Sequence, residues 1–235
     1  MLKYFLLIPL AILAACDSPV VFEEPQPQGA ASEDSFRPAY QGTYLCTGDS
    51  SILVVTEQHI YQESAHFIVD ERDGHGPDSL LYQRELMGEH GLETRYFLQG
   101  HSLPLENTFV SEEMLVGTLL VRDTLFTIGP RQQVRYFRGH QLLNYQSDDG
   151  NWEVLALAQE NNRDLRLFRT KLPEDIDALE AITPVQQRLT EEGEEQYLLR
   201  PSKQAFRKLL KSDLIFQECG YYEFMPEQQW AEFLF

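Results

Sequence analysis

Between Tyr40 and Thr170 apolar and polar positions alternate in short runs rich in Val, Ile, Leu, Tyr, Phe and Thr, the period-2 pattern of half-buried strands. A first series predicts strands at Thr43–Cys46, Ile52–Thr56, His59–Glu63, His66–Asp70, Leu80–Glu85 and Thr94–Leu98. A second predicts strands at Thr118–Val121, Thr124–Ile128, Val134–Phe137, Gln141–Tyr145, Trp152–Leu157 and Asp164–Phe168. Gly48-Asp49, Asp73-Gly74, Gly129-Pro130, Asp148-Asp149-Gly150 and Asn161-Asn162 lie between them and supply turn dihedrals. The connections are too short for the crossovers that parallel strands require, so the pattern predicts a mainly β fold, an antiparallel meander.

The two series also resemble one another. Gly42-Thr43-Tyr44-Leu45 aligns with Gly117-Thr118-Leu119-Leu120, Tyr61 with Tyr136, and His66-Phe67-Ile68-Val69 with His140-Gln141-Leu142-Leu143. Duplication would give repeats over 40–99 and 116–170, closed as a barrel or faced as a two-sheet sandwich, since both arrangements dispose of strand edges; chance similarity of Thr- and Leu-rich strands is the alternative. The period lengthens after residue 170. Pro173-Glu174-Asp175 opens a short helix with Ile176, Leu179 and Ile182 on one face and Thr183-Pro184 at its end. Pro201-Ser202 opens a second, with Phe206, Leu209 and Leu210 on one side and Arg207, Lys208 and Lys211 towards its C-terminus. Tyr221–Phe235 concentrates aromatic residues, and a third short helix from Pro226-Glu227 would align Trp230, Phe233 and Leu234. Docking on the β body is expected for that tail; Trp230 and Phe233 are otherwise the candidate contacts to a partner.

The N-terminus has a different pattern. Lys3 is followed by an apolar run from Tyr4 to Leu13, too short for the roughly 20 residues a membrane-spanning helix needs, and then by Ala14-Ala15-Cys16. Leu13-Ala14-Ala15-Cys16 resembles the lipobox of bacterial prolipoproteins. The resemblance implies that residues 1–15 are removed as a signal peptide and that the Cys16 thiol carries a diacylglyceryl group, the new amine often being acylated too. Two or more acyl chains hold a protein stably on a membrane. Together with Pro25-Gln26-Pro27, Gln41-Gly42-Thr43-Tyr44 and Pro201-Ser202-Lys203, the lipobox makes the chain similar to small uncharacterised envelope lipoproteins of Bacteroidetes type, which imply no activity for particular residues. Asp17 resembles the inner-membrane retention signal of enterobacteria, a rule that varies between lineages; the outer membrane is the expected location.

Residues 16–39 mix Pro19, Pro25, Pro27 and Pro38 with Glu23, Glu24, Glu33 and Asp34, the composition of a tether. A flexible chain of that length reaches about 25 Å, enough to hold the body clear of the headgroups. The expected organisation is therefore a signal peptide over 1–15, a lipidated tether over 16–39, a β body over 40–170, and an α+β part over 171–235 packed on that body.

Composition narrows the function. The chain is 43% hydrophobic and 24% charged, which suits a folded globular body, and its formal charge of -18 repels nucleic acid and anionic headgroups. Lipidation of Cys16 leaves Cys46 and Cys219, which could pair in a compartment where disulfides persist; a bridge closing so long a loop stabilises by about 5 kcal/mol on the chain-entropy argument. Separate buried thiols are the alternative. His59, His66, His75, His90 and His101 fall near Asp70, Glu71, Asp73 and Asp78, but the Asp70–His75 stretch lacks the calcium-loop pattern and no two histidines stand at metal-ligand spacing. No nucleophile elbow, phosphate loop or Cys-x-x-Cys pair occurs, so no catalytic residue, cofactor or metal is assigned. The reading that follows is a membrane-anchored, non-enzymatic interaction or assembly accessory; a lipid-tethered small-ligand β-barrel is the alternative, and a hydrolase a more distant one.

Overall fold

The computed structural model describes residues 18–49, 51–71, 81–88, 91–98, 101–103, 105–110, 114–190 and 193–226. Among the described residues sixteen strands and two helices follow one another. They are β1 (Val20–Phe22), β2 (Gly42–Cys46), β3 (Ile52–Val55), β4 (His59–Glu71), β5 (Leu81–Gly88), β6 (Gly91–Leu98), β7 (His101–Leu103) and β8 (Leu105–Val110). Next come β9 (Met114–Thr127), β10 (Gln132–Phe137), β11 (His140–Gln146), β12 (Trp152–Gln159), β13 (Leu165–Thr170) and α1 (Ile176–Glu180). The chain ends with β14 (Val185–Leu189), β15 (Glu195–Leu199), α2 (Lys203–Lys211) and β16 (Phe216–Met225).

These elements form two compact units. Among the described residues the first takes 18–36, 128–161 and 165–221, and the second takes those within 37–127, 162–164 and 222–226. In the first, β14, β15, β1, β12, β13 and β16 are hydrogen-bonded in that order, and the β10–β11 hairpin lies along β12. The β10–β11 turn is tight because Arg138 and Gly139 both take positive φ, 54° and 83°, as the primed hairpin turn demands. Val20, Phe22, Leu142, Trp152, Leu199 and Phe206 anchor one core, to which Leu179 of α1 and Leu209 of α2 contribute. Both helices start where their caps dictate: Asp175 Oδ1 accepts from Ala178 N–H at 2.9 Å, and Ser202 Oγ from Ala205 N–H at 3.2 Å.

In the second unit the C-terminal part of β16 pairs with β2, and β3, β4, β9 and β8 follow. β5, β6 and β7 make a separate three-stranded sheet. His59–Glu63 and His66–Asp70, expected as two strands, are one, because Ser64 and Ala65 continue the ladder with β9 opposite Val121 and Leu120. Thr118–Val121 and Thr124–Ile128 likewise merge into β9, which pairs with β4 from His59↔Thr127 to Glu71↔Met114 through one bulge beside Ile60 and Tyr61. The strand-for-strand correspondence of the expected repeats over 40–99 and 116–170 does not hold, since β4 is one strand where β10 and β11, its counterparts at an offset of 75, are two.

The mainly β expectation holds: among the described residues strands far outweigh the two short helices. Two parts of the expectation change. The pairing is mixed, because β1 runs parallel to β15, and the ladder does not return on itself as a barrel would. The stretch 16–39 is no free tether either: from Ser18 to Phe36 it is built into the first unit, with Val20, Phe22 and Phe36 fully buried. A three-residue apolar run embedded among prolines and acids carries no readable period, and what buries it is a partner strand distant in sequence.

Candidate functional site

The residues around Ser18 determine how the N-terminal segment meets the folded body. Ser18 Oγ lies 2.6 Å from Thr170 Oγ1 and donates to Val20 O at 2.9 Å. Gln196 Nε2 donates to Ser18 O at 2.8 Å, and Tyr197 N–H to Pro19 O at 2.9 Å. The parallel ladder then runs Val20↔Tyr197, Val21↔Leu198 and Phe22↔Leu199, and Phe22 meets the Phe206 ring edge-on at 5.9 Å. Cys16 lies outside the described residues, but it is two residues from Ser18, and two residues of chain span at most about 7 Å.

The following Pro25-Gln26-Pro27 segment is also held. Gln26 N–H donates to Asn144 Oδ1 at 2.5 Å, and Asn144 Nδ2 donates back to Gln26 O at 3.1 Å. Arg135 Nη1 donates to Pro25 O at 2.5 Å and Pro27 O at 2.9 Å. Burial lowers the Arg135 pKa, and Glu24 opposes the shift. Gln141, on the opposite face of β11 from Asn144, is fully buried with neither side-chain amide atom hydrogen-bonded to the protein.

The titratable groups with shifted pKa values are tied into local structure. Burial pushes the Asp149 carboxyl up, but donors from Ser147, Asn151 and Arg188 outweigh it and hold the group well below the usual range. That carboxylate joins the β11–β12 turn to β14 through Arg188 Nη2 at 2.7 Å. Burial also opposes the hydrogen bonds from Ser51 and Cys46 at Asp49, which again prevail and lower its pKa. Burial lowers the His140 imidazole, against contacts with the backbone of Arg138 and Phe137, and its ring stands edge-on to Phe168. In the second unit burial raises Tyr44 to about 12, against the attraction of Arg163 and with the repulsion of Asp164; its hydroxyl donates to Tyr40 O at 2.8 Å.

The other expected sites divide between those the structure places and those it leaves out. His59 stacks on Tyr61 at 5.5 Å, with Nδ1 3.1 Å from Thr127 Oγ1, while the side chains of His66, His75, His90 and His101 lie outside the described residues. Among the described residues no three His, Cys, Asp or Glu side chains gather as a metal would require. Cys46 and Cys219 are free thiols, the alternative to the bridge that the sequence allows. The register places Tyr222 opposite Cys46, and Cys219 is three residues back along the same strand, about 10 Å in rise and, by strand alternation, on the other face. Cys219 Sγ instead approaches Leu167 O at 3.5 Å, and burial raises its pKa. Trp230 and Phe233 lie outside the described residues; the first part of their tail, through Met225, belongs to β16. Among the described residues no helix is long and apolar enough to cross a membrane.

The chain matches no family model, no curated protein and no solved structure.

Proposed function

We propose that the chain is an exported envelope lipoprotein, held on a membrane by diacylated Cys16, whose body serves as a non-enzymatic interaction or assembly accessory. The observation that carries this reading is the Leu13-Ala14-Ala15-Cys16 lipobox behind a short apolar run and Lys3. The shifted groups Asp149, Asp49 and Tyr44 are engaged in structural hydrogen bonds, which fits a scaffold better than an active site. The open, mixed sheets lend no support to the ligand-holding barrel. A sandwich-like stacking of sheets around the Phe22 and Phe206 core is the finer fold reading we favour.

The envelope is the proposed location, the outer membrane in preference to the inner, and an envelope protein the proposed partner, contacted through Trp230 and Phe233. Expression of Cys16→Ser tests the anchor, because serine cannot form the thioether. The wild type is expected in the membrane pellet with acyl mass on Cys16, and the variant unprocessed or soluble. Unchanged processing and pelleting of the variant would overturn the assignment. Crosslinked pull-down with and without residues after Met225 tests the partner: a captured envelope protein should be lost on truncation.

A further inference from the structure

β14 is an edge strand: it is hydrogen-bonded to β15 on one side, and among the described residues no strand pairs with its other side. The hydrogen bonds around it fix the direction of its backbone groups. Thr190 N–H donates to Glu194 O at 2.9 Å and Arg200 N–H to Pro184 O at 3.4 Å, so both ends of the hairpin are hydrogen-bonded pairs. Alternation between those ends turns Gln186 and Arg188 towards β15, and Val185, Gln187 and Leu189 away from it. β15 agrees: Tyr197 N–H donates to Pro19 O and Leu199 O accepts from Glu23 N–H, so the register partners of Gln187 and Val185 direct these groups to the far side.

The usual guards of an exposed edge are missing from β14. It holds no proline, no register shift interrupts its ladder with β15, and its one charge, Arg188, is drawn to Asp149 and Gln196. Gln186, Gln187 and Leu189 are exposed, and Leu189, at 67%, is the most exposed large hydrophobic side chain among the described residues. Val185 shares the face of Leu189 but packs on the core of the first unit. The sequence Val185-Gln186-Gln187-Arg188-Leu189 reads apolar, three polar, apolar in both directions. An antiparallel strand meets a copy of itself reversed, so this symmetry makes β14 complementary to itself.

We propose that β14 pairs antiparallel with β14 of a second copy of this chain, about a two-fold axis at Gln187. Gln187 then faces Gln187 of the second copy as a hydrogen-bonded pair, and Val185 faces Leu189 at both ends, so every outward N–H and C=O is paired. Each exposed Leu189 gains an apolar neighbour that is itself seated on a core. On the reverse face Gln186 stands opposite Arg188, and no like charges meet. An unrelated extended peptide makes the same backbone bonds; the match of Val185 to Leu189 at both ends selects the copy. The pairing stands independently of the lipid anchor. A ladder of five residues buries less than a stable interface needs, so the pair is short-lived and is best trapped.

The test is disulfide trapping of the full chain, purified in mild detergent, on a Cys46→Ser, Cys219→Ser background. Facing Gln187 positions stand about 5.5 Å apart between Cα atoms, within the span of a disulfide, whereas the two Leu189 positions stand about 14 Å apart. Under mild oxidation Gln187→Cys should therefore form a covalent dimer about tenfold faster than Leu189→Cys, although Leu189 is the more exposed of the apolar positions. The parent chain without an added cysteine gives the background from Cys16. Adding Leu189→Lys to the Gln187→Cys chain should slow trapping about tenfold, by placing a charge on the edge. Leu189 is exposed in the single copy, so that substitution leaves the fold intact. Equal trapping at the two positions, trapping of Gln187→Cys no faster than background, or trapping indifferent to Leu189→Lys each overturns the pairing. Crosslinking of Gln187→Cys in intact cells to a different protein and not to itself also overturns it, because the edge then serves another partner.

Discussion

Asn144 holds the backbone of Gln26 through both its polar groups, accepting from Gln26 N–H at 2.5 Å and donating to Gln26 O at 3.1 Å. One buried side chain on β11 thereby replaces the ladder that the Pro-Gln-Pro segment cannot make. Asn144→Leu leaves two buried backbone groups unpaired and should cost about 2–4 kcal/mol. The measurement is denaturant unfolding of the folded body. A loss below about 0.5 kcal/mol would show that Gln26 is not held this way in solution.

Gln141 presents the reverse case, a fully buried amide without a protein hydrogen bond. Replacing it with methionine keeps the length of the side chain and removes the desolvated dipole. Gln141→Met should therefore be neutral or stabilising by about 1 kcal/mol, where most buried substitutions destabilise. A clear drop in melting temperature would reveal a partner for the amide.

Acidification should weaken the fold in two separate windows. The His140 imidazole has a lowered pKa when folded, so just below pH 6.5 the unfolded chain binds more protons and stability falls. His140→Phe should flatten that slope, and the ring proton shifts of His140 should titrate below the free value. Asp149 has a lowered pKa as well, but as a carboxylate it contributes stability that is complete above about pH 4 and is lost below it. Asp149→Asn should cost about 1 kcal/mol at neutral pH, a modest figure because the pair with Arg188 is partly exposed, and nothing once the wild-type carboxyl is protonated.

Gly42 starts β2 at φ 147°, and a Cβ there would stand 2.8 Å from the Phe224 ring. Phe224 has little freedom to withdraw, because its N–H donates to Asp164 at 2.9 Å and the Arg163 guanidinium lies 3.6 Å over its ring. Gly42→Ala should destabilise the second unit by about 1–3 kcal/mol. Hydrogen exchange along β2 and the end of β16 reads the effect locally; unchanged protection would mean that the ring can move aside.

Both cysteines of the body should titrate as free thiols in the unfolded, unreduced protein, and reductant should leave the melting temperature unchanged. A shift of several degrees on reduction would restore the bridge and contradict the register of Tyr222 against Cys46.

What could be read from the sequence was local. Asp175 and Ser202 cap helices where Pro173-Glu174-Asp175 and Pro201-Ser202 announce them, and Gln132–Phe137, His140–Gln146 and Trp152–Gln159 follow their alternation. Decisions made at long range were not legible. Val20-Val21-Phe22 becomes a buried strand because Tyr197–Leu199 lies beside it, and β4 and β9 run through positions where separate strands were expected because each supports the other over its whole length. At the candidate site the motif around Cys16 is visible to the eye, whereas the grip of Thr170 and Gln196 on Ser18 joins residues that no local pattern connects.

The parallel pairing of Val20 with Tyr197 also imposes an order of events on biosynthesis. β1 has no neighbour until β12 has followed it and lacks its second, β15, until almost the whole chain has, and the core around Phe22 waits for Phe206 and Phe216 as well. Loop closure over such separations makes folding slow, on the scale of milliseconds to seconds or longer. On the proposed export reading, that delay keeps the chain threadable, because β1 cannot take its full place in the core before its distant partner strands arrive.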